Sequence, residues 1–351
     1  MFKSTNFSIS GWILILSILA LLTISTFVLR SVEPGLYPNY FIYIILSAVI
    51  FLIMIRIDFD IYRLFSPHLY FLSIILLVLP LIIGQVTRGA VRWIPIGSVT
   101  LQPSELVRTF LILFFATYLT DKALNLKRFL KLILFFFLPF ILILIQPSLG
   151  VAALTGIGFL GVLLASSIDK KYFLLGIMVF IIAVPGLWFI LQPYQKQRIA
   201  TFINPAEDPL GSGYNSIQSM ISVGSGKLFG RGLGEGVQTQ LRFLPEKHTD
   251  FIFAAISEEM GFLGAFIILF GLFILLFTII HIIGDSVNPT ARAFTSGAFL
   301  ILFMQTLIHV GMNMGLLPIT GVPLPFVSAG GSSLIGTTMV AAMIIKAKRN
   351  E

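Results

Sequence analysis

The chain has 351 residues, of which 57% are hydrophobic and only 11% are Asp, Glu, Lys or Arg, with a mean hydropathy of +0.99. That composition belongs in a bilayer and leaves no room for a soluble domain. There is no cysteine, which excludes disulfides, thiol catalysis and cysteine-zinc sites, and the net charge is +8.

A membrane-spanning helix needs about 20 mainly apolar residues. Segments of that length fall near 11–30, 38–56, 68–86, 104–120, 129–146, 149–168, 171–191, 250–283, 292–316 and 325–346. The runs are continuously apolar and do not alternate, so the expected fold is an all-α polytopic membrane protein of about ten helices and not a β-barrel. The start "MFKSTNFSIS" lacks a cleavage site after a short apolar core and reads as a retained cytoplasmic N-terminus. With an even number of spans the C-terminus returns to the same side. Loops on that side, with Lys3 and the tail, hold thirteen Lys and Arg, against chiefly Arg30, Arg88 and Arg92 on the other. The positive-inside rule therefore places both termini in the cytoplasm. The basic residues are spread over loops and form no single stripe, so no nucleic-acid partner is expected.

Between the seventh and eighth spans lies a long extracytoplasmic loop, about 192–249, and loops of that size tend to be functional. Its middle, "YNSIQSMISVGS", has helical spacing and suits either an amphipathic helix on the membrane surface or a buried cap over the bundle. The run "GSGKLFGRGLGEG" lacks the order of a phosphate loop and follows no strand, so it reads as a flexible turn.

Charge inside a span costs at least about 2.5–3.5 kcal/mol and marks a site or a partner. Glu105 and Arg108 in "LQPSELVRTF" share a helical face and suit an ion pair that either locks the fourth span or holds substrate. Gln305, His309 and Asn313 recur every fourth residue as a stripe suited to interhelical hydrogen bonds. Prolines and glycines in "ITGVPLPFVSAGGSS" suggest a broken or re-entrant approach to the tenth span. Arg92 and Trp93 suit an interfacial anchor or a grip on a diphosphate. The densest group of ionisable residues is "FLPEKHTDFIFAAISEEMG", which carries Lys247, His248, Asp250, Glu258 and Glu259 from the long loop into the eighth span.

These stretches carry a resemblance. "RWIPIGSVTLQPSE", "FINPAEDPLGSGYNSIQS", "GSGKLFGRGLGEG", "FLPEKHTDFIFAAISEEMG" and "GLLPITGVPLPFVSAGGSS" are similar, in order, to motifs of the SEDS family of bacterial shape, elongation, division and sporulation proteins. The likeness runs from about Arg92 to Gly336 and is stronger to the elongation branch than to the division branch. Two positions depart from the family pattern: Arg108 stands where it usually has Lys, and Ala329 where it tends to have an aromatic residue. The resemblance implies a single ten-span membrane domain in the bacterial cytoplasmic membrane and a peptidoglycan glycosyltransferase that polymerises lipid II. It implies as partners a class B penicillin-binding protein transpeptidase and other membrane proteins of the elongation machinery, besides membrane lipids and the growing glycan strand.

Such a donor needs no nucleotide, because its undecaprenyl diphosphate is the leaving group. Turning an α-linked anomeric diphosphate into a β-1,4 bond takes one inverting displacement and a base for the acceptor hydroxyl. Arg92, Arg198, Lys247 or a bound divalent cation, magnesium or manganese, are candidates to meet the leaving-group charge. A lipid II flippase or other lipid-linked transporter, and a scaffold, are the competing functions.

Asp250 sits where the outer loop becomes the eighth span, at headgroup depth. Partial burial should raise its pKa and Lys247 should oppose that. By position alone it suits a helix cap, since Thr249 and Asp250 favour helix starts. The resemblance assigns the Asp of "HTDFIFA" as essential and makes Asp250 the catalytic residue, as base or as metal ligand; His248 beside it, and Glu258 and Glu259 two turns further in, read as supporting groups, with Glu258 within the bundle.

Overall fold

The computed structural model describes residues 8–348 apart from 88, 89, 98, 167, 210 and 212, so Lys3, Arg88 and the extreme termini lie outside the described residues. Ten helices of seventeen residues or more occupy the ten expected segments. They are α1 (Ile9–Val32), α2 (Tyr37–Met54), α3 (Phe59–Ile83), α4 (Pro103–Asp121), α5 (Leu126–Ile145), α6 (Leu149–Ala165), α7 (Lys170–Ile190), α11 (Ile252–Asp285), α12 (Pro289–Asn313) and α13 (Gly331–Ala347). Among the described residues six, α1, α2, α3, α5, α11 and α12, are long and apolar enough to cross a membrane, and α6 and α13 are shorter apolar helices. The chain is a polytopic helical membrane protein.

Local chemistry sets several helix starts. Ser8 accepts from the Gly11 N–H at the head of α1, and Asn125 from the Arg128 N–H at the head of α5. Asn288 accepts from the N–H of Thr290 and Ala291 just before Pro289 opens α12. Helix α12 is central and packs along α4, α6, α11 and α13.

Three features were not expected from the sequence. The connection between α3 and α4 is a three-stranded antiparallel sheet, β1 (Gln85–Thr87), β2 (Ala90–Ile96) and β3 (Val99–Leu101), in which Ile94 pairs with Leu101. Arg92 and Trp93 therefore ride on a strand. Within the long loop, α8 (Pro193–Ile203) and α10 (Val237–Gln240) flank α9 (Tyr214–Ser225). Helix α9 is the cap and not a surface float: Ser216, Ser219 and Ser222 are buried, and Ser219 Oγ donates to the Asn313 carbonyl at 2.9 Å.

The third feature is a break in α11. Gly261 has φ +67° and ψ −163°, so the eighth span is two helices, 252–260 and 262–285. A break at membrane depth strands backbone groups that lipid cannot satisfy. Here the loop 227–232 supplies them: the N–H of Arg231 and Gly232 donate to the carbonyls of Glu258 and Glu259. In return the N–H of Phe262 and Leu263 donate to the carbonyls of Lys227 and Leu228. A side chain at Gly230 would overlap the Glu259 carbonyl, and one at Gly261 the Gly230 backbone. The glycine run expected to be a flexible turn is thus a packed backbone splice.

Candidate active site

Asp250 is half-buried at the foot of the first part of α11. The helix-cap reading does not describe it, because the N-cap position is Phe251. In the first turn the N–H of Ala254, which is buried, is instead met across the bundle by Asn313 Oδ1 at 3.1 Å. Asn313 Nδ2 also donates to the Asp250 carbonyl at 3.0 Å and to the His309 carbonyl at 2.8 Å. One fully buried amide on α12 therefore fixes the backbone on both sides of the helix start.

The polar stripe of α12 continues this role. His309 Nδ1 lies 2.7 Å from the Val322 carbonyl, and Gln305 Nε2 donates to the Pro323 carbonyl at 2.8 Å. Together they pin the non-helical segment 314–330 against the bundle. Its far end is tied to the Asp250 region, with Ser328 Oγ donating to the Thr249 carbonyl at 2.8 Å and Ala329 N–H to the His248 carbonyl at 2.9 Å. At Gly321 an added Cβ would stand 3.4 Å from Asp250 Oδ2, so this backbone forms the surface facing the carboxylate.

The same segment walls an open cleft of about 260 Å³. Pro318, Ile319 and Thr320 form one side, Arg92 on β2 another, and Tyr194, Gln195 and Arg198 on α8 a third. Arg198 Nη1 donates to the Ile319 carbonyl at 3.2 Å and its guanidinium lies 5.8 Å from the Tyr194 ring. The Arg92 guanidinium is 5.9 Å from the Trp93 ring. Two of the three expected cations thus meet in one cleft, whose wall 318–320 runs into Gly321, the residue that faces the Asp250 carboxylate.

The third, Lys247, points elsewhere. It is buried, donates to the Thr239 carbonyl at 2.5 Å and lies 3.7 Å from Glu33 Oε2. Burial pulls its ammonium below the ordinary lysine range, and Glu33 opposes that. His248 lies 3.7 Å from Glu246. Glu258 accepts from the N–H of Gln238 (2.8 Å) and Thr239 (3.0 Å), and Glu259 from Ser31 Oγ (2.6 Å) and Gln240 Nε2 (2.8 Å). These two carboxylates anchor α10 and the end of α1 to the buried half-helix, so they hold the loop over the site.

Glu105 and Arg108 form a buried ion pair at 3.1 Å, with Arg108 Nη2 also 3.4 Å from Gln305 Oε1. Through Gln305 the pair joins the network that pins Pro323. Arginine replaces the family's lysine without losing the pairing: both contacts come from Nη2, and the buried Nη1 has no hydrogen-bond partner. Sequence reasoning missed Tyr194, Gln195 and Thr320 as cleft residues. No local pattern marks them, because α8 and the segment 318–320 meet only in three dimensions. Among the described residues no three His, Asp or Glu side chains group into a metal cage. A lone carboxylate fits the way magnesium is commonly held, with most ligands coming from water and substrate phosphates.

The fold and this cleft define a class of polytopic membrane proteins with an irregular, protein-lined segment at one end of the bundle. The family profile described as "Cell cycle protein", covering FtsW, RodA and SpoVE, matches residues 5–351. Peptidoglycan glycosyltransferase MrdB of Escherichia coli K12 is 38% identical over 330 residues, covering 92% of this chain and 89% of its own. Probable peptidoglycan glycosyltransferase FtsW of Coxiella burnetii is 35% identical, covering 98% and 97%. A chain of a solved peptidoglycan synthase complex superposes with a TM-score of 0.82 at 27% identity, covering 97% of both chains. The rod shape determining protein RodA of Thermus thermophilus shares the fold, with a TM-score of 0.72 at 23% identity, covering 97% of this chain and 96% of its own. This chain belongs to the SEDS family.

Proposed function

We propose that this chain, a peptidoglycan glycosyltransferase, polymerises lipid II at the outer face of the bacterial cytoplasmic membrane during cell elongation. Both termini lie in the cytoplasm, and one membrane domain carries the activity. The observation that carries the reading is the shared wall 318–321, which lines the cleft holding Arg92 and Arg198 and ends against Asp250. That wall links a cleft with cations suited to a diphosphate to a carboxylate suited to a hydroxyl, which supports the reading.

The donor's diphosphate is held in the cleft by the two guanidiniums, whose fork geometry suits phosphate oxygens. The Asp250 carboxylate takes the proton of the acceptor hydroxyl as that oxygen bonds to the anomeric carbon. The bond from that carbon to the diphosphate oxygen breaks with inversion, and the leaving group departs as undecaprenyl diphosphate, its charge met by Arg92 and Arg198. Asn313 acts as a positioning residue through the Asp250 backbone. The partner is a class B penicillin-binding protein transpeptidase, a reading supported by the likeness to a synthase complex that coordinates polymerization and crosslinking.

The test is chain-length analysis of labelled lipid II incubated with the purified protein and its partner. Asp250→Asn should fold and bind the partner while polymerisation drops by about 10² to 10⁴-fold, the range of a general base. Near wild-type polymer from that variant would refute the base role. Absence of polymer from the wild-type complex would favour the transporter.

A further inference from the structure

At the end of α4 opposite Glu105 lies a second cleft, of about 310 Å³, where α3, α4 and α5 meet. The diphosphate reading does not use it. Ser66, Thr117, Tyr118, Asp121, Lys122 and Arg128 are among the residues that line it. We propose that this cleft binds the phosphate of an anionic phospholipid headgroup.

Arg128 is held in place before any ligand arrives. Its guanidinium lies 4.7 Å from the Tyr118 ring, Nη2 donates to the Tyr118 carbonyl, and Tyr118 Oη donates back to the Arg128 carbonyl at 3.2 Å. Lys122 and Arg128 put two cations in the lining of one cleft, the chemistry that suits a phosphate. The Asp121 carboxylate, which would repel an anion, lies 3.6 Å from Arg63. From 122 to 131 the chain carries Lys122, Lys127, Arg128 and Lys131 and no carboxylate.

The surroundings select a lipid over a soluble anion. Leu64 and Phe65 on α3 and Leu126 and Leu130 on α5, at the same end of the bundle, are exposed and offer an apolar bed for acyl chains. A basic pocket between helix ends is a known form of headgroup site. Only the leaflet that supplies the lipid rests on the orientation proposed above.

Native mass spectrometry of the full-length protein in detergent, titrated with phosphatidylglycerol or phosphatidylcholine, tests this without reference to polymerisation. The wild type should retain one phosphatidylglycerol in preference to phosphatidylcholine. Each cation removed from the cleft lining should weaken that retention about fivefold, so Lys122→Gln with Arg128→Gln loses it while Lys127→Gln, outside the lining, does not. Lys122 is exposed, so Lys122→Gln alone folds and carries the test if the double variant does not. Equal retention of the two lipids, unchanged retention in Lys122→Gln, or displacement by equimolar inorganic phosphate would each overturn the proposal. Lipid retention by a protein that makes no polymer would leave this site standing and remove the glycosyltransferase reading alone.

Discussion

The two parts of α11 read as one span in the sequence and live in different solvents. Residues 252–259 are all buried, Glu258 and Glu259 among them, and are wrapped by α9, α10, α12 and the splice 227–232. Past Gly261 the helix is one-sided: Ala265, Ile268 and Leu272 face the bundle while Phe262, Phe266 and Phe273 are exposed to lipid. The first part is held by hydrogen bonds to its backbone and carboxylates, the second by apolar packing along one face. Charge is tolerated where protein donors replace water, and apolarity suffices where lipid does.

The contrast predicts a graded response to substitution. Gly230→Val should have the largest effect, because it forces a β-branched residue to φ +81° against the Glu259 carbonyl. A loss of about 3 kcal/mol or more is expected, read as a fall in the detergent unfolding midpoint and in monodisperse yield. Asn313→Leu keeps the branching but enlarges the side chain, and it strands the Ala254 N–H and the Asp250 carbonyl, costing about 2–6 kcal/mol at about 1–3 per stranded group. If Asn313 positions Asp250, kcat for lipid II should fall in the folded variant while KM stays, whereas a purely structural role would lower yield and leave kcat intact. Phe266→Leu, on the lipid face, should change stability by less than about 0.5 kcal/mol and leave polymerisation unchanged. A large loss there would show that the second part is also held by specific contacts.

The spans were legible because a bilayer demands about twenty apolar residues whatever their neighbours. The break was not. A lone glycine in a helical pattern is tolerated often enough that "EEMGFLGAF" reads through, and what makes Gly261 turn is a partner strand of backbone about thirty residues earlier. The same long-range contact misled the reading of "GSGKLFGRGLGEG", whose glycines look like freedom locally and prove to be close approach. The α12 stripe was visible from its spacing, and its hydrogen bonds followed. The meeting of Arg92 with Arg198 had no sequence signal, since a β-ribbon and an amphipathic helix from distant loops bring them together.

The splice at Gly261 also bears on how the protein sits in membranes of different thickness. The stretch 262–285 is about 36 Å long at 1.5 Å per residue, more than a hydrocarbon core of about 30 Å, and such a helix adjusts by tilting. Because the loop 227–232 bonds the helix on both sides of Gly261, the start of the rod is held with the preceding half-helix, and a change of thickness is taken up toward Asp285. Asp250 keeps its height relative to the cleft while the lipid-facing rod follows the bilayer.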